Sequence, residues 1–281
     1  MGRFPARIFT KKESKDMSEG TYLSENPMEA PTSRRKFLAG SAAALAGGAL
    51  MAVPGAALAK GDDDGGNKHG RLTDVDILNY ALTLEHLEAT FYTDGLKKFD
   101  RGDFEKYFKN NKPYRKQGIK DLDGGAVYEE FVRIRRHERI HVKTLQAVIK
   151  SLGSKPVPEC TYNFNKTAFT SVGKFVSVAE LLENTGVSAY DGAIAYIKAA
   201  KLQTAGATIA TVEARHASYL NLVNGDEPFP KPFDKPVAPQ KICEAVQAEN
   251  GGFIVRSPKQ YGPYRSLEAL CAKLPKRVLA P

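Results

Sequence analysis

Two stretches of this chain repeat the same side chains at the same helical intervals, and each sets charge where a helix should bury hydrocarbon. The first reads Ile134, Glu138, His141, Leu145, Val148; the second reads Ile209, Glu213, His216, Leu220, Val223. Both step four, three, four and three residues, the spacing that keeps side chains on one face of an α-helix. A carboxylate buried without a partner neutralises rather than stays charged. A chain written this way must therefore bring something to each Glu-x-x-His.

Two further stretches match each other in the same manner. Leu78, Leu82, Glu85, Ala89, Tyr92, Leu96 and Val176, Glu180, Glu183, Val187, Tyr190, Ile194 share one register. That register selects Glu85 over Glu88 as the counterpart of Glu183, because Glu85 and Glu183 each stand seven residues before a tyrosine. The pattern is one helical hairpin used twice. It predicts helices over about 73–98, 127–152, 171–200 and 204–223, with Thr73 or Asp74 as the first N-cap and Gly153 and Asn224-Gly225 as stops. A polar, glycine-containing stretch from Asp100 to Gly125 joins the first two, and a long connection through Pro156, Pro158 and Cys160 joins the second and third. The expected fold is all-α, an antiparallel four-helix bundle with a long crossover between helices two and three. The domain reading is a leader over 1–59, a linker over 60–71, the bundle over 72–224 and a proline-rich extension over 225–281. "DEPFPKPFDKPVAP" is too rich in proline for a regular element, although Ser266 to Lys273 has helical character.

Antiparallel packing would bring Glu85, Glu138, Glu183 and Glu213 to one level, together with His141 and His216. Four carboxylates in a dry core repel one another, and two divalent cations would neutralise them. Imidazole with carboxylate suits iron, manganese or zinc better than magnesium or calcium. The competing structure is a metal-free network of ion pairs and hydrogen bonds, in which two histidines would have to balance four acids.

At this point the chain resembles a known family. "LTLEHLEATFY", "HERIHVKTL", "LLENTGVSAYDGA" and "TVEARHASYLNLV" are similar to the ferritin-like family that includes exported bacterial and fungal proteins and plant desiccation-related proteins. The likeness extends from about Leu72 to Pro239. It implies bacterioferritin-type ligation: Glu85 and Glu183 terminal, Glu138 and Glu213 bridging, and one histidine on each of two metals. Iron is the first expectation, with manganese or zinc as alternatives. It also implies that Tyr92 and Tyr190 hydrogen-bond ligand carboxylates, with ordinary core aromatics as the other reading. The chain departs from that pattern where an acidic residue should precede each Glu-x-x-His, since His137 and Val212 stand there. His137 is read as a spare ligand or a solvent-facing histidine. Glu88 and Glu180 are outer carboxylate candidates, and Gly186 beside Glu183 leaves room for a neighbour or a substrate. No haem is expected, because Met1, Met17, Met28 and Met51 all lie in the leader.

The leader reads as an export signal. Ser33-Arg34-Arg35 and Phe37-Leu38 resemble the twin-arginine motif, with Ala39 where lysine is usual. An apolar run to Val53 follows, and Ala57-Leu58-Ala59 is a small-x-small pattern for cleavage after Ala59. Met17 and Met28 are alternative starts. An uncleaved anchor is the alternative reading, but the run is rich in Ala and Gly and shorter than the roughly 20 residues that span a bilayer. The expected location is periplasmic or otherwise exported, with a mature form that does not span the membrane. The chain has 281 residues and a net charge of +9, and its Lys and Arg are scattered without a nucleic-acid motif, so no nucleic-acid partner is expected. Cys160, Cys243 and Cys271 allow one disulfide in an oxidising compartment, in any of three pairings.

The leading functional expectation is a di-metal protein that oxidises ferrous iron or consumes peroxide, with oxygen or peroxide as its small-molecule partner. The alternative is a non-catalytic stress or desiccation protein braced by metal. An oligomer is compatible with either. A closed storage cage is not expected, given the long loops and the 58-residue tail from Asn224 to Pro281.

Overall fold

The computed structural model describes residues 71–279. The export signal at Arg34 and Arg35 and the cleavage point after Ala59 lie outside the described residues. The described chain is predominantly helical. Four long helices form the bundle: α1 (Asp74–Lys98), α3 (Gly124–Ser151), α4 (Val172–Ala193) and α5 (Ala200–Asn224). A shorter helix, α2 (Arg101–Asn111), lies between the first two. Thr73 caps α1 by a reciprocal box with Asp76, which satisfies amide groups that the first turn leaves open. Gly225, at φ 90°, closes α5 in the left-handed conformation that costs glycine least.

Side-chain contacts give the helix directions. Tyr92 meets Phe131 while Glu85 meets His141, so α1 and α3 run antiparallel. Ser177 meets Asn224 while Glu183 meets His216, so α4 and α5 do too. Tyr92 bonds Glu183 and Tyr190 bonds Glu85, which makes α1 antiparallel to α4. Helices α3 and α4 therefore point the same way, and the chain must travel the bundle's length between them. Residues 152–171 make that crossover. It is pinned to α1 where Val157 N–H donates to Asn79 Oδ1 at 2.8 Å and Thr90 Oγ1 donates to Glu159 Oε1 at 2.5 Å.

Four details differ from the sequence expectation. The stretch from Asp100 to Gly125 holds α2, capped by an Asp100–Asp103 box and seated by Phe104 and Phe108, both fully buried. Helix α4 stops at Ala193 instead of Ala200, and α5 starts at Ala200 instead of Thr204. Asp74 on α1 captures the turn between them, accepting from Lys198 N and Ala199 N at 2.8 and 3.0 Å. A short strand, β1 (Thr161–Tyr162) on the crossover, pairs antiparallel with β2 (Ile254–Arg256) on the C-terminal extension. Beyond the proline-rich strap, which is irregular as expected, the extension folds into α6 (Pro239–Ala245), β2 and α7 (Leu267–Cys271), the last within the Ser266–Lys273 stretch expected to be helical.

That extension is fastened to the bundle. Cys243 and Cys271 form the disulfide, joining α6 to α7 and leaving Cys160 free and buried. Closing such a loop stabilises the fold by about 3–4 kcal/mol through lost chain entropy. Tyr261 hydrogen-bonds Thr83, and Tyr264 and Lys273 both donate to Asp76, all on α1. The strap crosses α4 at Gly192, where a Cβ would lie 1.9 Å from the Val237 carbonyl oxygen. Among the described residues no helix is long and apolar enough to cross a membrane.

Candidate metal centre

Each bundle helix supplies its site residues from its most buried stripe. Glu85 and Tyr92 come from α1, Glu138 and His141 from α3, Glu183 and Tyr190 from α4, and Glu213 and His216 from α5. The four glutamates have no solvent exposure, and the two histidines are 8 and 6 % exposed. Helical stripes deliver them to one level because the antiparallel hairpins α1–α3 and α4–α5 are stacked about matching positions.

The six residues form two interlocked groups. Glu85, Glu138, His141 and Glu213 have ligand atoms all within 4.8 Å of one another, as do Glu138, Glu183, Glu213 and His216. Glu138 and Glu213 belong to both. His141 Nδ1 faces oxygens of Glu85, Glu138 and Glu213 at 3.2, 3.3 and 2.9 Å. His216 Nδ1 faces Glu138, Glu183 and Glu213, each at 3.2 Å. An imidazole nitrogen carries at most one proton, so it cannot satisfy three carboxylates together. Glu138 Oε1 and Glu213 Oε1 are indeed buried without a hydrogen bond. Two cations, one per group, fit this donor set: each would collect one imidazole nitrogen and oxygens from three carboxylates.

Electrostatics describe the same need. Burial raises Glu85 to about 8 despite His141 beside it, with Glu213 and Glu138 adding repulsion. Burial, then Glu138 and Glu213, also raises Glu183. For His216, burial favours the neutral ring, but Glu138, Glu183 and Glu213 outweigh it and lift the group to about 12. His141 is raised in the same way, burial being overcome by Glu85 and its other carboxylate partners. Burial opposes ionisation of Glu213 too, yet bonds to both histidines hold it below the ordinary carboxylate range.

The tyrosines are crossed between hairpin halves. Tyr92 Oη donates to Glu183 Oε1 at 2.6 Å, and Tyr190 Oη donates to Glu85 Oε1 at 2.5 Å. Each phenol thus orients a buried glutamate of the opposite helix, a hydrogen bond to a carboxylate of the kind the family likeness implied. His137 is neither a member of the two groups nor simply solvent-facing. It is half-buried, its Nδ1 lies 2.9 Å from His216 Nε2, and the rings stack at 15°. A His216 that gives its Nδ1 lone pair to a metal keeps its proton on Nε2, and His137 can accept it. Val212, at the equivalent place on α5, offers His141 no such partner. Both sequence readings of His137, a spare ligand or a solvent-facing ring, are thus corrected, because spacing along α3 could not show that the ring reaches across to α5.

Glu88 and Glu180 separate in space. Glu180 is half-buried and hydrogen-bonded by Asn224, toward the end of α5 and away from the carboxylate cluster. Glu88 is 4 % exposed and lies against Gly186, whose added Cβ would be 3.2 Å from Glu88 Oε1. The glycine noted in the sequence thus makes room for a carboxylate.

A family model described as Ferritin-like domain matches residues 73–226 of the chain. No curated protein matches it.

Proposed function

The chain belongs to the ferritin-like domain family, and on that premise we propose that it is an exported di-metal carboxylate protein using a pair of iron or manganese ions to oxidise ferrous iron or to consume peroxide. The observation that carries this reading is the pair of buried groups sharing Glu138 and Glu213. The two shared carboxylates would hold two cations as one unit, and such a pair would supply two-electron chemistry toward oxygen or peroxide. Glu85 and Glu183 would bind at the outer ends and His141 and His216 would complete one position each, while Tyr92 and Tyr190 fix the outer carboxylates by hydrogen bonds. Burial by the surrounding helices excludes bulk water and strengthens each electrostatic contact.

Loading the protein with ferrous iron without air and then adding oxygen or peroxide tests the reading. Oxidant should disappear in proportion to protein, faster than with free iron. Bound iron that stays ferrous while raising the melting temperature would instead support the non-catalytic, braced alternative.

Export by the twin-arginine route is part of the proposal. The Cys243–Cys271 disulfide supports it, since such bonds persist in oxidising compartments. Lysine at both Arg34 and Arg35 should leave the precursor in the cytoplasm. Undiminished export of that double variant, followed by fractionation, would refute this part alone.

A further inference from the structure

The segment of α3 that turns Glu138 and His141 inward turns a run of cations outward. Arg133, Arg135, Arg136, Arg139 and Lys143 stand close together on this helix. Four of their pairings fall at the spacing of helix neighbours: Arg133–Arg136, Arg135–Arg139, Arg136–Arg139 and Arg139–Lys143. Like charges at that spacing destabilise a helix. Basic residues that look scattered along the chain are here concentrated on one surface.

Nearby acids do little to relieve this repulsion. Glu130 pairs with Arg133, Glu129 is taken by Arg101, and Glu138 points into the buried centre. Glu159, across the neighbouring groove from Arg139 and Lys143, accepts from Thr90. Arg135, Arg136, Arg139 and Lys143 make no ion pair with a described residue, whereas Lys97 and Arg101 on the same bundle are paired. The cationic side chains enclose a cleft of about 710 Å3. Its whole lining comes from α3, so the walls are long guanidinium arms that can turn onto an occupant. His137, whose ring rests on His216, lines it as well.

Arginine's planar fork pairs with phosphate or carboxylate oxygens two at a time. From Arg133 to Lys143 the cations extend over about 15 Å of helix axis, further than a single phosphate or carboxylate bridges. A chain of linked phosphates matches both the charge and the length. We propose that the outer face of α3 is a binding site for linear polyphosphate. The anion lies outside the bundle, on the helix whose inner face carries Glu138 and His141, and its binding does not depend on the di-metal reading.

Calorimetry of the purified protein with inorganic phosphate, tripolyphosphate and a longer polyphosphate tests the site. Affinity should rise with chain length and weaken with added salt. Arg136→Gln combined with Arg139→Gln should weaken tripolyphosphate binding about tenfold or more. Arg136→Lys combined with Arg139→Lys keeps the charge but loses the forks, and should weaken it several-fold. Lys109→Gln combined with Lys201→Gln removes as much charge from exposed positions on α2 and α5 and should bind as wild type does. Circular dichroism checks that each variant is folded. Wild-type affinity in the glutamine pair, as expected if phosphate merely chelates a bound metal, would overturn the proposal. Full affinity in the arginine-to-lysine pair, or an equal loss in the Lys109 and Lys201 control, would reduce the site to diffuse charge and overturn it too. So would phosphatidylglycerol vesicles or a single-stranded oligonucleotide bound by a protein that ignores polyphosphate. None of these outcomes bears on metal content, so the di-metal reading stands or falls separately.

Discussion

Glu138→Gln should strip the protein of most of its metal while leaving its helical content intact. Glu138 is shared by both ligand groups, so glutamine removes a charge from two positions at one stroke. One of its oxygens is already buried without a hydrogen bond, which means the amide forfeits little hydrogen bonding in exchange. Metal per chain should drop from two to below one, and affinity for what remains should fall by about a hundredfold or more. His141→Ala and His216→Ala should each remove one ion, and the double variant both. In a metal-free network the same glutamine would cost only about 1–3 kcal/mol and would change no metal content. Metal analysis of the purified variants, beside circular dichroism, separates the two accounts.

Removing the metal should make stability depend on pH in a definite direction. A group raised in the folded state contributes stability that is complete below its unfolded pKa and lost as pH rises through the folded one. Glu85, raised from 4.5 to about 8, therefore supports the metal-free protein in mild acid and ceases to by about 8. Glu183 moves in the same direction. His216, raised from 6.5 to about 12, loses its contribution progressively across that range. Glu213 is lowered, so its contribution is present above 4.5 and is lost only in stronger acid. The melting temperature of chelator-treated protein should thus fall by roughly 10 °C between about pH 5.5 and 8.5. Metal-loaded protein should show little change, because cations replace the protons. A metal-free protein that becomes more stable as pH rises over this interval would contradict the assignment of these buried groups.

Much of this was legible in the sequence, and the reasons differ by element. The four long helices announce themselves because polar residues interrupt otherwise apolar stripes at constant spacing, and the repeat aligns Glu85 with Glu183 and Glu138 with Glu213. The tyrosines follow from the same register. Contacts that depend on which ring reaches across a helix interface are not written in spacing. His137 against His216 and Glu88 against Gly186 are of that kind. Helix α2 had a readable signal, Phe104 and Phe108 one turn apart after a capping Asp100, although polar neighbours obscure it. In the extension the last helix lies inside the Ser266–Lys273 stretch whose helical character was readable, while α6 and the strand had no signal of comparable strength. Its short helices are specified by the Cys243–Cys271 bond and by Tyr261, Tyr264 and Lys273 reaching α1, all long-range contacts.

The most direct test is metal content. Protein purified from its native compartment, without chelator or affinity metal, should carry close to two iron or manganese ions per chain, and their removal should lower its melting temperature. A chain that arrives empty, and whose melting temperature ignores added iron, manganese and zinc, would contradict the account and leave Glu138 as a structural residue.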